Sequence, residues 1–127
     1  MNVLTVDDSM AQRGIVKNTM KRLTGFENAV FFDAQDGNKA WDFLEKERID
    51  LVLLDYNMPN LSGPELIDRM KSTERHRDTP IIMITAESAK YNVIDVLQKG
   101  VNGYCIKPLK EEKLRLVVME IFSLGVQ

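Results

Sequence analysis

Residues 51–55 read Leu-Val-Leu-Leu-Asp, an apolar run closed by an acid, and residues 3–8 repeat the arrangement as Val-Leu-Thr-Val-Asp-Asp. A run this short, rich in branched side chains, suits a strand buried on both faces better than an amphipathic helix. Working outward, similar runs stand at Val30–Phe32, Ile81–Ile84 and Tyr104–Ile106. Between and beyond the five runs lie longer stretches with helical spacing, at 9–24, 37–47, 63–73, 88–99 and 110–124. In the first, Ile15, Val16, Met20 and Leu23 share an apolar side, while Arg13, Lys17, Lys21 and Arg22 form a positive stripe. Gly14 weakens that helix by about 1 kcal/mol relative to alanine without breaking it. Asp36-Gly37 turns the chain into the second helix, whose Ala40, Trp41 and Leu44 are expected to face inward. Strands alternating with helices predict a doubly wound α/β fold, with a parallel sheet covered on both faces and right-handed crossovers.

Length and composition bound the rest. The 127 residues suit one compact domain over 1–127 with no output domain, and no repeat or linker marks a boundary. Apolar residues at 44% and charged residues at 28% are ordinary for a globular chain. A net charge of -2 offers no positive field for a phosphate backbone, so direct nucleic-acid binding is not expected. No apolar run approaches the roughly 20 residues a membrane span needs, and the start turns acidic too early for a secretory signal. A cytoplasmic monomer is the expectation. The single cysteine, Cys105, reads as a small buried hydrophobe.

In a doubly wound sheet, ligands sit beyond the carboxyl ends of the strands, near the point where strand order reverses. Those ends are where the polar residues gather: Asp7 and Asp8 after the first strand, Asp55 after the third, Thr85 after the fourth, Lys107 after the fifth. A lone aspartate there would simply cap the next helix, but this set exceeds capping. Three carboxylates in one crevice repel, and a hard divalent cation relieves the repulsion. Magnesium suits Asp7, Asp8 and Asp55, and the absence of nearby cysteine or histidine argues against zinc. Beside such a cation a carboxylate can attack phosphorus, and Asp55 is the candidate nucleophile. Lys107 then supplies positive charge and Thr85 a hydroxyl donor for the phosphoryl oxygens.

The segments VDDS (6–9), DYNMPNLSG (55–63), ITAE (84–87) and QKGVNGYCIKPL (98–109) together resemble the response-regulator receiver domains of the stand-alone chemotaxis type. The resemblance implies a flavodoxin-like sheet in the order 2-1-3-4-5. It implies that Asp55 accepts a phosphoryl group, that Asp8 and Asp55 ligate magnesium, that Asp7 acts through a metal-bound water, and that Asn57 offers its backbone carbonyl. Lys107 and Thr85 would hold the phosphoryl oxygens, and Tyr104 would change exposure with Thr85 on activation. A cis peptide would precede Pro108. Implied partners are a histidine kinase as donor, a phosphatase, and a protein target such as a flagellar motor switch component. A phosphorelay intermediate would carry the same pocket.

Departures from the family pattern are few. Ser9 replaces a more hydrophobic residue, and Ser62 stands where many members have aspartate; Ser62 and Pro64 suit the N-cap and first turn of the third helix. A haloacid-dehalogenase-like hydrolase needs an acid two residues beyond its nucleophile, where this chain has Asn57. A receiver-like domain that binds without phosphorylation would have lost the acceptor, the acidic pair or the lysine, and all are present. Asn57 and Glu87, two residues beyond Asp55 and Thr85, flank the approach of hydrolytic water and are expected to set the rate of dephosphorylation. His76 reads as an exposed loop histidine, Met20, Met70, Met83 and Met119 as core-facing, and Tyr91 as an exposed anchor on a target-binding face.

Overall fold

The computed structural model describes residues 1–56, 58, 60–86 and 90–123, with the side chains of 94–123 but not of 90–93. Five strands, β1 (Asn2–Val6), β2 (Val30–Ala34), β3 (Leu51–Asp55), β4 (Ile81–Ala86) and β5 (Gly103–Lys107), alternate with five helices. The helices are α1 (Met10–Lys21), α2 (Gly37–Lys46), α3 (Gly63–Lys71), α4 (Lys90–Gln98) and α5 (Glu111–Phe122). All pairings are parallel, in the order β2-β1-β3-β4-β5. The doubly wound sheet read from the apolar runs is therefore present, and strand order reverses between β1 and β3.

Side-chain alternation along the strands divides the core in two. Leu4, Val6, Val52, Leu54, Ile81 and Met83 face one way, against Ala40 and Leu44 of α2, Leu66, Ile67 and Met70 of α3 and Val96 of α4. Val3, Leu51, Leu53, Ile82, Ile84 and Cys105 face the other, against Val16 and Met20 of α1 and Leu114, Val117 and Val118 of α5. Strand β3 is buried at every position, as its unbroken apolar run requires. Each fully buried leucine contributes about 1.5–3 kcal/mol relative to an exposed one.

Local signals set the helix starts. Ser9 caps α1, accepting from the Gln12 amide, and Asp36 caps α2, accepting from the Lys39 amide at 2.8 Å. Ser62 and Glu65 form a reciprocal capping box on α3, with Pro64 in the first turn. Helix α1 stops at Lys21, short of the expected residue 24, and the chain turns onward through Leu23 and Phe26, with Gly25 at φ +95°.

Three side chains lie where spacing alone did not place them. Ile15 is half exposed, at the edge of the buried side of α1 that Val16, Thr19 and Met20 form, and the Thr19 hydroxyl is satisfied by the Ile15 carbonyl at 2.7 Å. Met119 is exposed, since Val117 and Val118 occupy the buried side of α5. His76, expected in solvent, is only 4% exposed. The segment around it folds into successive turns, with the His76 amide donating to Thr73 and the Thr79 amide to His76. These turns tuck the imidazole edge-on to Trp41, with ring centroids 5.2 Å apart, while the Arg69 guanidinium covers the indole at 4.8 Å. Tyr91 lies outside the residues whose side chains are described.

Candidate functional site

The register of the sheet assembles the site. Val6 pairs with Leu54, so Asp7 and Asp55 follow one residue further along neighbouring strands. Asp55 pairs with Ile84, and Ile84 with Cys105, so Lys107 emerges two residues beyond that rung on β5. By alternation Asp55 and Lys107 leave the sheet on the α1/α5 side, and they meet there. The Lys107 ammonium donates to Asp7 Oδ2 at 3.0 Å and to Asp55 Oδ1 at 3.3 Å.

Asp7 is held on every side. Its amide donates to the Ala34 carbonyl at 3.1 Å, and its Oδ1 accepts from the Ser9 amide at 2.9 Å. Its carbonyl accepts from the Arg13 guanidinium at 2.6 Å. Asp7 and Asp55 are buried, whereas Asp8 faces solvent. One carboxylate oxygen from each of Asp7, Asp8 and Asp55 lies within 4.8 Å of the others. Their ionised forms carry one charge each, and Lys107 neutralises only one.

Burial, with the Asp7 charge second, pushes the Asp55 carboxyl up to about 6 despite the pull of Lys107. Burial also works against the charged form of Lys107, but the hydrogen bond to Asp7 and the fields of Asp55 and Asp7 outweigh it and hold the ammonium above its ordinary value. Cys105 is a different case: burial raises its thiol to about 11, so it remains a neutral core residue.

The loop after Asp55 is shaped by two glycines. A Cβ on Gly63 would come within 2.8 Å of the Asp55 and Tyr56 carbonyls, so only glycine lets α3 begin this close to the end of β3. The Gly63 amide closes the loop onto the Tyr56 carbonyl at 3.2 Å. From outside, the Gly37 amide donates to the Leu61 carbonyl at 3.0 Å, and a Cβ there would run into Leu61. Asn60, at φ 63°, donates to Asp36 at 3.0 Å.

Thr85 is 1% exposed, and its hydroxyl has no partner among the described residues. Buried hydroxyls are ordinarily bonded, which makes Thr85 a candidate donor to a group held in the pocket. Thr85 pairs with Ile106 and lies on the sheet face of Met83, whose own partner is Tyr104. Tyr104 is half-buried against that core, with the Lys113 ammonium 5.5 Å from its ring centroid. Tyr104, Ile106, Pro108, Lys110 and Lys113, with Lys107, line a groove of about 470 Å³. The Lys107–Pro108 peptide is cis.

Of the residues singled out in the sequence, Asp7, Asp8, Asp55 and Lys107 thus meet in one pocket, with Thr85 at the neighbouring strand end. Asn57 and Glu87 lie outside the described residues. Arg13 was missed: the spacing places it in the positive stripe of α1, yet its guanidinium turns back onto the Asp7 carbonyl. Its position early in the helix that follows the acidic pair is the signal that was available.

Residues 3–119 match the family described as response regulator receiver domain. The chain belongs to that family. This receiver domain is 38% identical over 126 residues to a chemotaxis protein CheY homolog of Campylobacter jejuni, covering 98% of this chain and 95% of that one. The crystal structure of Vibrio cholerae chemotaxis protein CheY4 superposes with a TM-score of 0.81 at 28% identity, covering 94% of this receiver domain and 97% of that chain. The receiver domain of sensor histidine kinase PA1611 from Pseudomonas aeruginosa, solved with magnesium coordinated in its active-site cleft, superposes with a TM-score of 0.80 at 26% identity, covering 94% of each chain. Its kinship is therefore with the CheY-type response regulators, whose signalling is activated by phosphorylation.

Proposed function

We propose that this receiver domain takes a phosphoryl group onto Asp55 from a histidine kinase and signals by binding a protein target, a flagellar motor switch component. The observation that carries the reading is the Lys107 ammonium shared between Asp7 and Asp55 beside three gathered carboxylates. The donor set fits magnesium: all three donors are carboxylate oxygens, close together and short of compensating charge. Asp8 and Asp55 would hold the ion directly, Asp7 through water, and Asn57 through its backbone carbonyl. When bound, magnesium neutralises charge on the phosphoryl oxygens and on the attacking carboxylate.

The chain's own residues do the remainder. An Asp55 carboxylate oxygen attacks phosphorus, forming a P–O bond as the P–N bond to the kinase imidazole breaks and its electron pair leaves with that nitrogen. Lys107 stays paired with the growing negative charge, and its anchorage to Asp7 keeps it in place during the exchange. Thr85 supplies a neutral donor to one phosphoryl oxygen. Hydrolysis returns the site to its starting state, at a rate governed partly by Asn57 and Glu87, two residues beyond Asp55 and Thr85 in the sequence.

Binding is then the output of the receiver domain, which acts as a monomer in the cytoplasm. No helix among the described residues is long and apolar enough to cross a membrane. The test is the affinity for a motor switch component with and without beryllofluoride, which mimics the bound phosphoryl group. A gain in the wild type and none in Asp55→Asn supports the reading, and equal affinity in all four conditions overturns it.

A further inference from the structure

One buried polar atom beside the pocket has no use in the scheme above. The Arg13 Nε is buried and has no hydrogen-bond partner among the described residues, although the same guanidinium donates to the Asp7 carbonyl at 2.6 Å. Arg13 lies on the first turns of α1, and with Asp7, Asp55 and Thr5 it lines a cavity of about 10 Å³ beneath the acidic pocket. That volume is at the lower limit for one water, too small for any larger ligand. A guanidinium keeps its charge at every working pH. The Asp7 carbonyl it grips belongs to the peptide that leads into Asp8.

We propose that Arg13 is a positioning residue for phosphoryl acceptance. It fixes the Asp7–Asp8 peptide through its bond to the Asp7 carbonyl and, lining the same small cavity as Asp7 and Asp55, keeps a permanent positive charge on the α1 side of the pocket. Both effects favour the state in which Asp55 carries an anionic adduct. The first keeps the Asp8 carboxylate turned toward Asp55, and the second offsets the charge that the adduct adds in a poorly solvated place. The inference rests on Asp55 being the acceptor, and it removes Arg13 from the set of α1 cations that face solvent.

The probe is beryllofluoride, titrated at saturating magnesium and followed by the fluorine NMR signal of the bound form, in wild type, Arg13→Met and Arg13→Lys. Arg13→Met keeps the length and apolar stem of the side chain and should bind beryllofluoride about tenfold more weakly, as the loss of a charge-assisted hydrogen bond predicts. Arg13→Lys keeps the charge and one donor and should recover most of that loss. A purely structural role would instead leave affinity unchanged in the folded fraction, or weaken both variants alike; either result overturns the proposal. Should Arg13→Met fail to fold, Arg13→Gln, which has a donor but no charge, takes its place with the same expected weakening. Absence of an Asp55-dependent signal in the wild type would instead overturn the acceptor role of Asp55.

Discussion

Asp55 shows at a single residue how the site trades stability for chemistry. Its carboxyl is raised to about 6, chiefly by burial and then by the Asp7 charge. A group raised in the fold contributes stability that is fully present below its ordinary value near 3.8 and is lost as pH rises through about 6. Asp55→Asn should therefore stabilise the metal-free protein by about 1–3 kcal/mol at neutral pH, and the gain should shrink toward pH 4.5. Urea unfolding in chelator at both pH values checks this, and an equal gain at both would contradict it. His76 has the opposite sign. Burial lowers its pKa from the ordinary 6.5, with the Glu45 carboxylate, 3.9 Å from Nε2, opposing. Its contribution is present above that value and lost as pH falls below it. In an Asp55→Asn background, which removes the other titration, stability should decline between pH 7 and pH 5, and His76→Gln should flatten that decline. Matching slopes in the two proteins would show that His76 does not titrate in this range.

At the scale of elements, the start of α3 governs the loop that leaves Asp55. Ser62→Ala removes half of the capping box and should cost about 1 kcal/mol of stability while leaving phosphorylation by acetyl phosphate near its wild-type rate. Gly63→Ala should cost more and also slow phosphorylation, because the new methyl meets the Asp55 and Tyr56 carbonyls at 2.8 Å. Melting curves and acetyl phosphate kinetics on the two variants separate a cap from a positioning glycine; similar kinetics in both would refute the distinction. These elements were readable because their causes are local. Apolar runs gave the strands, and Ser62 and Asp36 capped the helices that follow them. What escaped was set by contacts between elements. The burial of His76 depends on Trp41 from α2, and the inward turn of Arg13 depends on the Asp7 carbonyl left open at the end of β1. Within α1, Thr19 could take a buried position because its hydroxyl closes on the Ile15 carbonyl of its own helix. The four pocket residues were legible for a different reason: Asp55 and Lys107 end β3 and β5 and Asp7 and Asp8 directly follow β1, and the order in which parallel strands pair brings those ends together whatever packs below.

Over the whole molecule, the proposal is a coupling between the pocket and the β5 face. A phosphoryl group adds up to about two negative charges and strong acceptor oxygens. The unpartnered Thr85 hydroxyl should be drawn to it, leaving space on the sheet face that Thr85 shares with Tyr104. Tyr104 then moves inward, and the partner surface around the groove changes. The coupling is reciprocal, so a target that binds the inward state must also favour phosphorylation. Thr85→Ala should still accept the phosphoryl group yet lose most of the gain in target affinity that beryllofluoride produces in the wild type. An undiminished gain would remove Thr85 from the transmission path. All of this depends on one covalent event. The most direct measurement is intact-mass spectrometry after incubation with acetyl phosphate and magnesium, in wild type and Asp55→Asn. The wild type should gain about 80 Da, one phosphoryl group, and Asp55→Asn should gain nothing; no adduct in the wild type, or an equal adduct in the variant, would contradict Asp55 as the phosphoacceptor.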